Sequence, residues 1–159
     1  MELEQDKILT QLLTKNYAEA EFSILNDQKK IKFRTLSTGA QLEIEQMVSS
    51  LPDSSSRIFV LHTYALQLLA RTLVQYGTTQ FDVAKPDETM VFLKELPPQI
   101  IDILGKLRDE FQQEVLKIST PKELEKHFFP TSSSGAESNS STKDTSLTSG
   151  LKTQPNNIS

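Results

Sequence analysis

Residues 57–77 read RIFVLHTYALQLLARTLVQYG, and the rest of the chain is organised around them. Apolar residues recur at Ile58, Leu61, Ala65 and Leu68 with Thr72 in line, and again at Phe59, Leu66, Leu69, Leu73 and Tyr76. Two adjacent stripes at i, i+3, i+4 and i+7 spacing describe a helix apolar over most of its circumference, which other elements must cover on several sides. Ser55 or Ser56 can cap its start, and Gly77 falls where a left-handed C-terminal cap would sit. The length suits a bilayer but the content does not. Arg57, His62, Gln67, Arg71 and Gln75 interrupt the apolar runs, and a charge at bilayer depth costs about 2.5–3.5 kcal/mol. The expectation is a buried core helix.

Before it, residues 20–25 (AEFSIL) and 29–36 (KKIKFRTL) alternate with period two. Phe22 and Ile24 oppose Glu21, Ser23 and Leu25; Ile31, Phe33 and Thr35 oppose Lys30, Lys32 and Arg34. That pattern predicts a β-hairpin of half-buried strands, with Asn26 and Asp27 supplying the turn. Lys30, Lys32 and Arg34 share one strand face, the only concentrated basic patch in the sequence. It is read either as a solvated outer face or as a contact for an acidic partner. Phe33 lies on the opposite face, so the interleaving of aromatic and basic residues that serves single-stranded nucleic acid is missing.

A helix follows the hairpin, with Thr38 as its expected cap and Leu42, Ile44, Met47, Val48 and Leu51 as its apolar side. Pro52 and the serines after it break the pattern. Ahead of the hairpin, residues 2–15 put Leu3, Ile8 and Leu12, with Leu9 and Leu13 beside them, on one side of a short helix. That helix is either a packing arm or a docking and oligomerisation element.

Beyond Gly77, a short extended piece is expected at residues 80–83. A helix then starts at Lys85-Pro86 with Asp87 as candidate cap, turning Met90, Leu93 and either Phe92 or Val91 inward. Leu96-Pro97-Pro98 ends it, because proline lacks a donor and restricts the residue before it, while Pro98 fits the first turn of the next helix. In that helix Ile100, Ile103, Leu104, Leu107, Phe111, Val115 and Ile118 form a long seam flanked by Ile101 and Leu116. Gly105 weakens it by about 1 kcal/mol relative to alanine and could allow close approach of a neighbour. A last helical turn, PKELEKHFF, ends at Pro130. Phe128 and Phe129 there either fold back as a plug or serve as an exposed anchor for a partner. Nearly half of residues 131–159 is serine or threonine, which cannot bury enough apolar surface to offset ordering entropy, so this stretch is read as a disordered tail. Residues 1–130 are read as one folded domain. The expected fold class is α+β, mostly α: an N-terminal β-hairpin followed by a small helical bundle around a central apolar helix.

The chain has no cysteine, which removes disulfides, thiolate zinc sites and cysteine nucleophiles. The start MELEQDK lacks the regions of a signal peptide, and the default compartment is cytosol. Formal net charge is −4, against the basic face of a general nucleic-acid binder. His62 and His127 are far apart and lie in no ligand motif; the glycines are isolated, so no phosphate loop forms. Glu43 with Glu45, and Asp109 with Glu110, sit at spacings that do not face each other on a helix. No cofactor or metal is implied, and no catalytic residue stands out. The expectation is a non-enzymatic interaction protein that engages neither nucleic acid nor membrane.

The phrase KIKFRTLSTG, the helix ending LARTLVQYG and the segment FLKELPPQIIDILGKL together resemble the tail assembly chaperones and small baseplate-assembly proteins of long-tailed bacteriophages. The family phrase (V/I)-x-(F/V)-R-x-L-(S/T) is matched by Ile31, Phe33, Arg34, Leu36 and Ser37. An aliphatic-x-x-x-Gly turn is matched by Leu73 to Gly77. A later F-L-x-x-L-P-x-x-(I/V)-(I/L)-D-x-L phrase is matched by Phe92, Leu93, Leu96, Pro97, Ile100, Ile101, Asp102 and Leu104. The resemblance spans residues 29–118 and leaves the first helix and the serine-rich tail unexplained. It implies a chaperone that binds aggregation-prone helical tail components, notably the tape-measure protein, in the cytoplasm of the infected bacterial host. A structural component of the virion baseplate, or a small regulatory adaptor, is the alternative. Leu104, Leu107, Phe111 and Val115 are candidates for a groove that holds a client helix, or are ordinary core; Phe128, Phe129, Lys30, Lys32 and Arg34 are further candidate contacts. A homo-oligomer is compatible with the pattern.

Overall fold

The computed structural model describes residues 3–24 and 26–128. The Ser/Thr-rich stretch 131–159, Phe129 and Leu25 lie outside the described residues. Element order is α1 (Gln5–Lys15), β1 (Glu19–Ile24), β2 (Lys29–Arg34), α2 (Thr38–Ser49), α3 (Arg57–Thr72), β3 (Leu73–Tyr76), β4 (Thr79–Gln80), α4 (Pro86–Glu95), α5 (Pro98–Ile118) and α6 (Pro121–Phe128). The fold class is α+β and mostly α, as the periodicities predict. The β-structure is larger than the hairpin alone: four strands pair antiparallel in the order β1-β2-β3-β4.

The hairpin forms as its alternation requires. Asn26 and Asp27 both adopt positive φ (54° and 66°), a conformation these two residues tolerate and one whose twist matches the flanking strands. Ile31 and Phe33 of β2 are fully buried at the centre of the sheet. Phe22 of β1 bridges the sheet to α5, with its ring 6.2 Å from Phe33 and 6.1 Å from Phe111.

The long helix expected at residues 57–77 divides. α3 ends at Thr72, whose hydroxyl donates to the Leu68 carbonyl at 2.7 Å, and residues 73–76 continue as β3. The reason is tertiary. β2 has a second edge to satisfy, and Leu-Val-Gln-Tyr, with one β-branched and one aromatic residue, suits a strand as well as a helix. Phe33 pairs with Leu73 and Ile31 with Tyr76, across an irregularity between Lys32 and Phe33. Gly77 does take the left-handed conformation (φ 63°), but in the tight turn to β4 and not as a helix cap. Its N–H donates to the Lys30 carbonyl at 2.7 Å.

α5 supplies the other half of the core. Ile101, Leu104, Phe111 and Val115 are buried, whereas Ile103 is exposed, so Ile101 and Ile103 exchange the roles that the seam assigns them. A Cβ built on Gly105 meets nothing within 4 Å; this glycine does not serve a close approach. α1 packs on α5 and buries Ile8 and Leu9, while the Gln11 side chain accepts the Glu19 N–H at 2.9 Å; it is a packing arm. Two caps differ from expectation. Ser37, not Thr38, caps α2 by accepting the Ala40 N–H, and Lys85 occupies the N-cap of α4 without a side-chain bond, with Asp87 inside the first turn. In α4, Leu93 is buried and Met90 and Phe92 pack on the core; Phe92 meets Tyr76 and Phe81 at 5.5 and 4.9 Å. Val91 faces out. The extended piece expected at 80–83 shrinks to β4.

Candidate functional site

The central helix is buried only at its far end. Leu69, Ala70 and Thr72, its buried residues, all lie in its last turn. At the other end Ile58, Phe59 and Leu61 are 76%, 53% and 58% exposed. Ser56 caps this end by accepting the Phe59 N–H at 3.2 Å, so the first turn is ordered while its apolar side chains stand in solvent. At about 100° per residue, positions 58, 59 and 61 fall within an arc of about 160° on one side of the helix, and form a single exposed ridge. The expectation of a buried core helix, covered on several sides, therefore fails for its first half: α2, α4 and α5 all contact α3 but leave this end open.

Two clefts flank the exposed ridge. One, of about 330 Å³, lies between α3, the end of α4 and the start of α5, and is lined by Phe59, His62, Thr63, Leu66, Leu93, Lys94, Leu96, Pro98 and Ile101. Leu-Pro-Pro places it: the tight break after Leu96 turns α4 into α5 so that both flank α3. The other, of about 370 Å³, lies between α3 and the middle of α5 and is lined by Leu61, Tyr64, Ala65, Leu68, Leu69, Gly105, Arg108 and Asp109. Arg108 there is tied to Asp109 at 2.8 Å through Nη1, and its Nε is buried with no hydrogen-bond partner among the described residues. Leu42 and Met47 of α2, Val91 of α4, and Ile103 and Leu116 of α5 are further exposed apolar residues.

The sequence-predicted site residues separate into three groups. Leu104, Phe111 and Val115 are core, each less than 4% exposed, and Leu107 packs against that core; of the two readings kept for them, groove or ordinary core, the structure places them in the core. The basic patch on β2 is largely paired within the sheet. Lys30 Nζ lies 2.8 Å from Glu21 Oε1 and Arg34 Nη2 lies 2.7 Å from Glu19 Oε1, with the Arg34 guanidinium also 3.9 Å from the Tyr17 ring centroid. The Lys30 ammonium, by hydrogen bond first and charge second, holds the Glu21 carboxyl below its ordinary range, and Glu21 in turn raises Lys30. Lys32 has no carboxylate within 4 Å among the described residues. Phe128 is exposed on α6, a helix with no buried residue, so it is no plug.

Among the described residues, the candidate titratable side chains do not converge. Glu43 pairs with Arg71 at 3.6 Å while Glu45 accepts from Gln41. His62 stands on the rim of the first cleft and His127 is exposed on α6. Among the described residues no group of three or more His, Cys, Asp or Glu side chains could hold a metal ion. No helix of the described residues is long and apolar enough to cross a membrane.

The surface that sequence reasoning missed is thus Ile58, Phe59 and Leu61 with the adjoining cleft. A signal was present: three apolar residues within one turn, flanked by Arg57 and His62 and preceded by a serine-rich loop, leave few neighbours able to cover them. No protein-family model matches the chain, and neither curated proteins nor solved structures give a match.

Proposed function

We propose that the chain is a non-enzymatic assembly helper of a long-tailed bacteriophage: a tail or baseplate assembly chaperone that holds an aggregation-prone helical component, such as the tape-measure protein, in the cytoplasm of the infected host. The phrases quoted from residues 29–118 support the family. The observation that carries the protein-binding part is the exposed ridge of Ile58, Phe59 and Leu61 between two apolar clefts. Exposed apolar surface of this kind marks interaction sites, and a groove beside a helix receives the apolar face of a partner helix.

The magnitude suits a transient client. Burying a large apolar side chain fully is worth about 1.5–3 kcal/mol. These three are already partly covered, so their complete burial adds roughly 3–6 kcal/mol gross. Association costs about 4–15 kcal/mol in lost freedom. The ridge alone therefore yields weak, reversible binding, and contacts in the flanking clefts supply the rest. A helper that must release its client needs that balance.

Co-expression with the phage's tape-measure protein tests the reading. The wild-type chain should raise the soluble fraction of the client, and Phe59→Asp or Leu61→Asp should abolish the gain while the variant itself stays folded. Mass spectrometry of purified particles should find the chain missing from mature virions; its presence there would make it a structural component. Unchanged client solubility with the wild-type chain refutes the proposal.

A further inference from the structure

We propose that the cleft between α3, α4 and α5 receives the apolar face of an acidic amphipathic helix from a partner protein. This rests on the protein-binding reading above and names the chemistry of the partner. The floor is apolar: Leu93 and Ile101 are buried, Leu66 forms a wall, and Phe59 stands at the mouth. A volume of about 330 Å³ lies at the small end of the roughly 300–1,000 Å³ typical of ligand clefts, which suits one or two anchoring side chains and not a large cofactor.

Charge selects among apolar partners. The titratable groups lining the cleft are Lys94 and His62, and no carboxylate lines it. On a chain of formal net charge −4, Lys94 is the charged side chain among the lining residues, and it is positive. Lys94 carries no carboxylate within 4 Å among the described residues, in contrast to Lys30, which Glu21 engages. A helix that anchors leucine or phenylalanine in the cleft brings its flanking residues over Lys94, where glutamate is favoured and lysine is repelled. Such rim charges act on partner choice and association rate more than on total affinity.

The test uses the full chain and two fluorescein-labelled 18-residue peptides. Both carry leucine at i, i+3, i+4 and i+7; one has glutamate on its flanks and the other has lysine. Anisotropy titrations at low salt should show the glutamate peptide binding about tenfold more tightly, equivalent to about 1.4 kcal/mol. Lys94→Glu should reverse that preference, Phe59→Asp should weaken both peptides, and Lys106→Glu, on the exposed side of α5, should change neither. Equal binding of the two peptides overturns the proposal, as does an equal effect of Lys106→Glu. A dimer in sedimentation that Phe59→Asp dissociates also overturns it, because a second copy then covers the cleft. The two levels remain separable. If the glutamate peptide is ignored but client solubilisation persists and is lost in Phe59→Asp, the partner chemistry is wrong and the helper reading stands; if both fail, the helper reading falls as well.

Discussion

Leu61 and Leu69 sit two turns apart on one helix and should respond unequally to truncation. Leu69 is 1% exposed and belongs to the core that joins α3 to the sheet and α5. Its replacement by alanine removes buried methyl groups and leaves a void, for which core leucines cost about 2–5 kcal/mol. Leu61 is 58% exposed. Its truncation forfeits less than half of the full transfer term and opens only onto solvent, so Leu61→Ala should cost about 1 kcal/mol or less. Urea denaturation followed by circular dichroism at 25 °C resolves the difference, since a slope of about 1–3 kcal/mol per molar urea separates the two midpoints by about 0.3 M at the least and by more than one molar at the upper end of the core cost. The titration is to be repeated across a tenfold range of protein concentration. A cost for Leu61→Ala equal to that of Leu69→Ala refutes the picture of an open helix end. If that cost also grows with concentration, the end is covered by association of copies.

Four smaller predictions rest on the backbone, the sheet surface and a helix cap. Gly77→Ala should destabilise by about 1 kcal/mol, because φ is 63° there and the left-handed region disfavours a Cβ; its nearest neighbour would be Lys29 Cε at 3.5 Å, so the cost is conformational. Gly105→Ala, in mid-helix with open space around its Cβ, should stabilise by up to about 1 kcal/mol in the same melts. Lys30→Gln should let the Glu21 carboxyl rise toward its ordinary value, followed by NMR titration of the side chain. In the wild type the depressed Glu21 value means that the pair contributes above the unfolded carboxyl pKa and is lost as pH falls through the lower folded value, an effect that high salt should shrink because both groups face water. Ser37→Ala should cost about 0.5–2 kcal/mol as the loss of a cap, whereas Thr38→Ala should be near neutral, distinguishing the observed cap from the expected one.

The division between sequence and tertiary structure runs along the kind of information each carries. Periodicity alone determined the hairpin over Phe22 and Phe33, the break at Leu96-Pro97-Pro98, the amphipathic course of α5 and the α+β class, because those depend on neighbours close along the chain. Three outcomes needed the folded molecule. Leu73–Tyr76 reads equally as helix or strand, and only the unsatisfied edge of β2 decided for strand. Ile101 and Ile103 lie on either side of one seam, and the packing of α5 against α3 and α1 puts the first in the core and leaves the second exposed. The exposure of Ile58, Phe59 and Leu61 was hinted at by the flanking polar residues and serine-rich loop but not decided by them, because apolar residues announce that they prefer cover, not whether this chain provides it. Cover is a property of the surrounding elements: α2, α4 and α5 close around the last turn of α3 and leave its first turn to solvent.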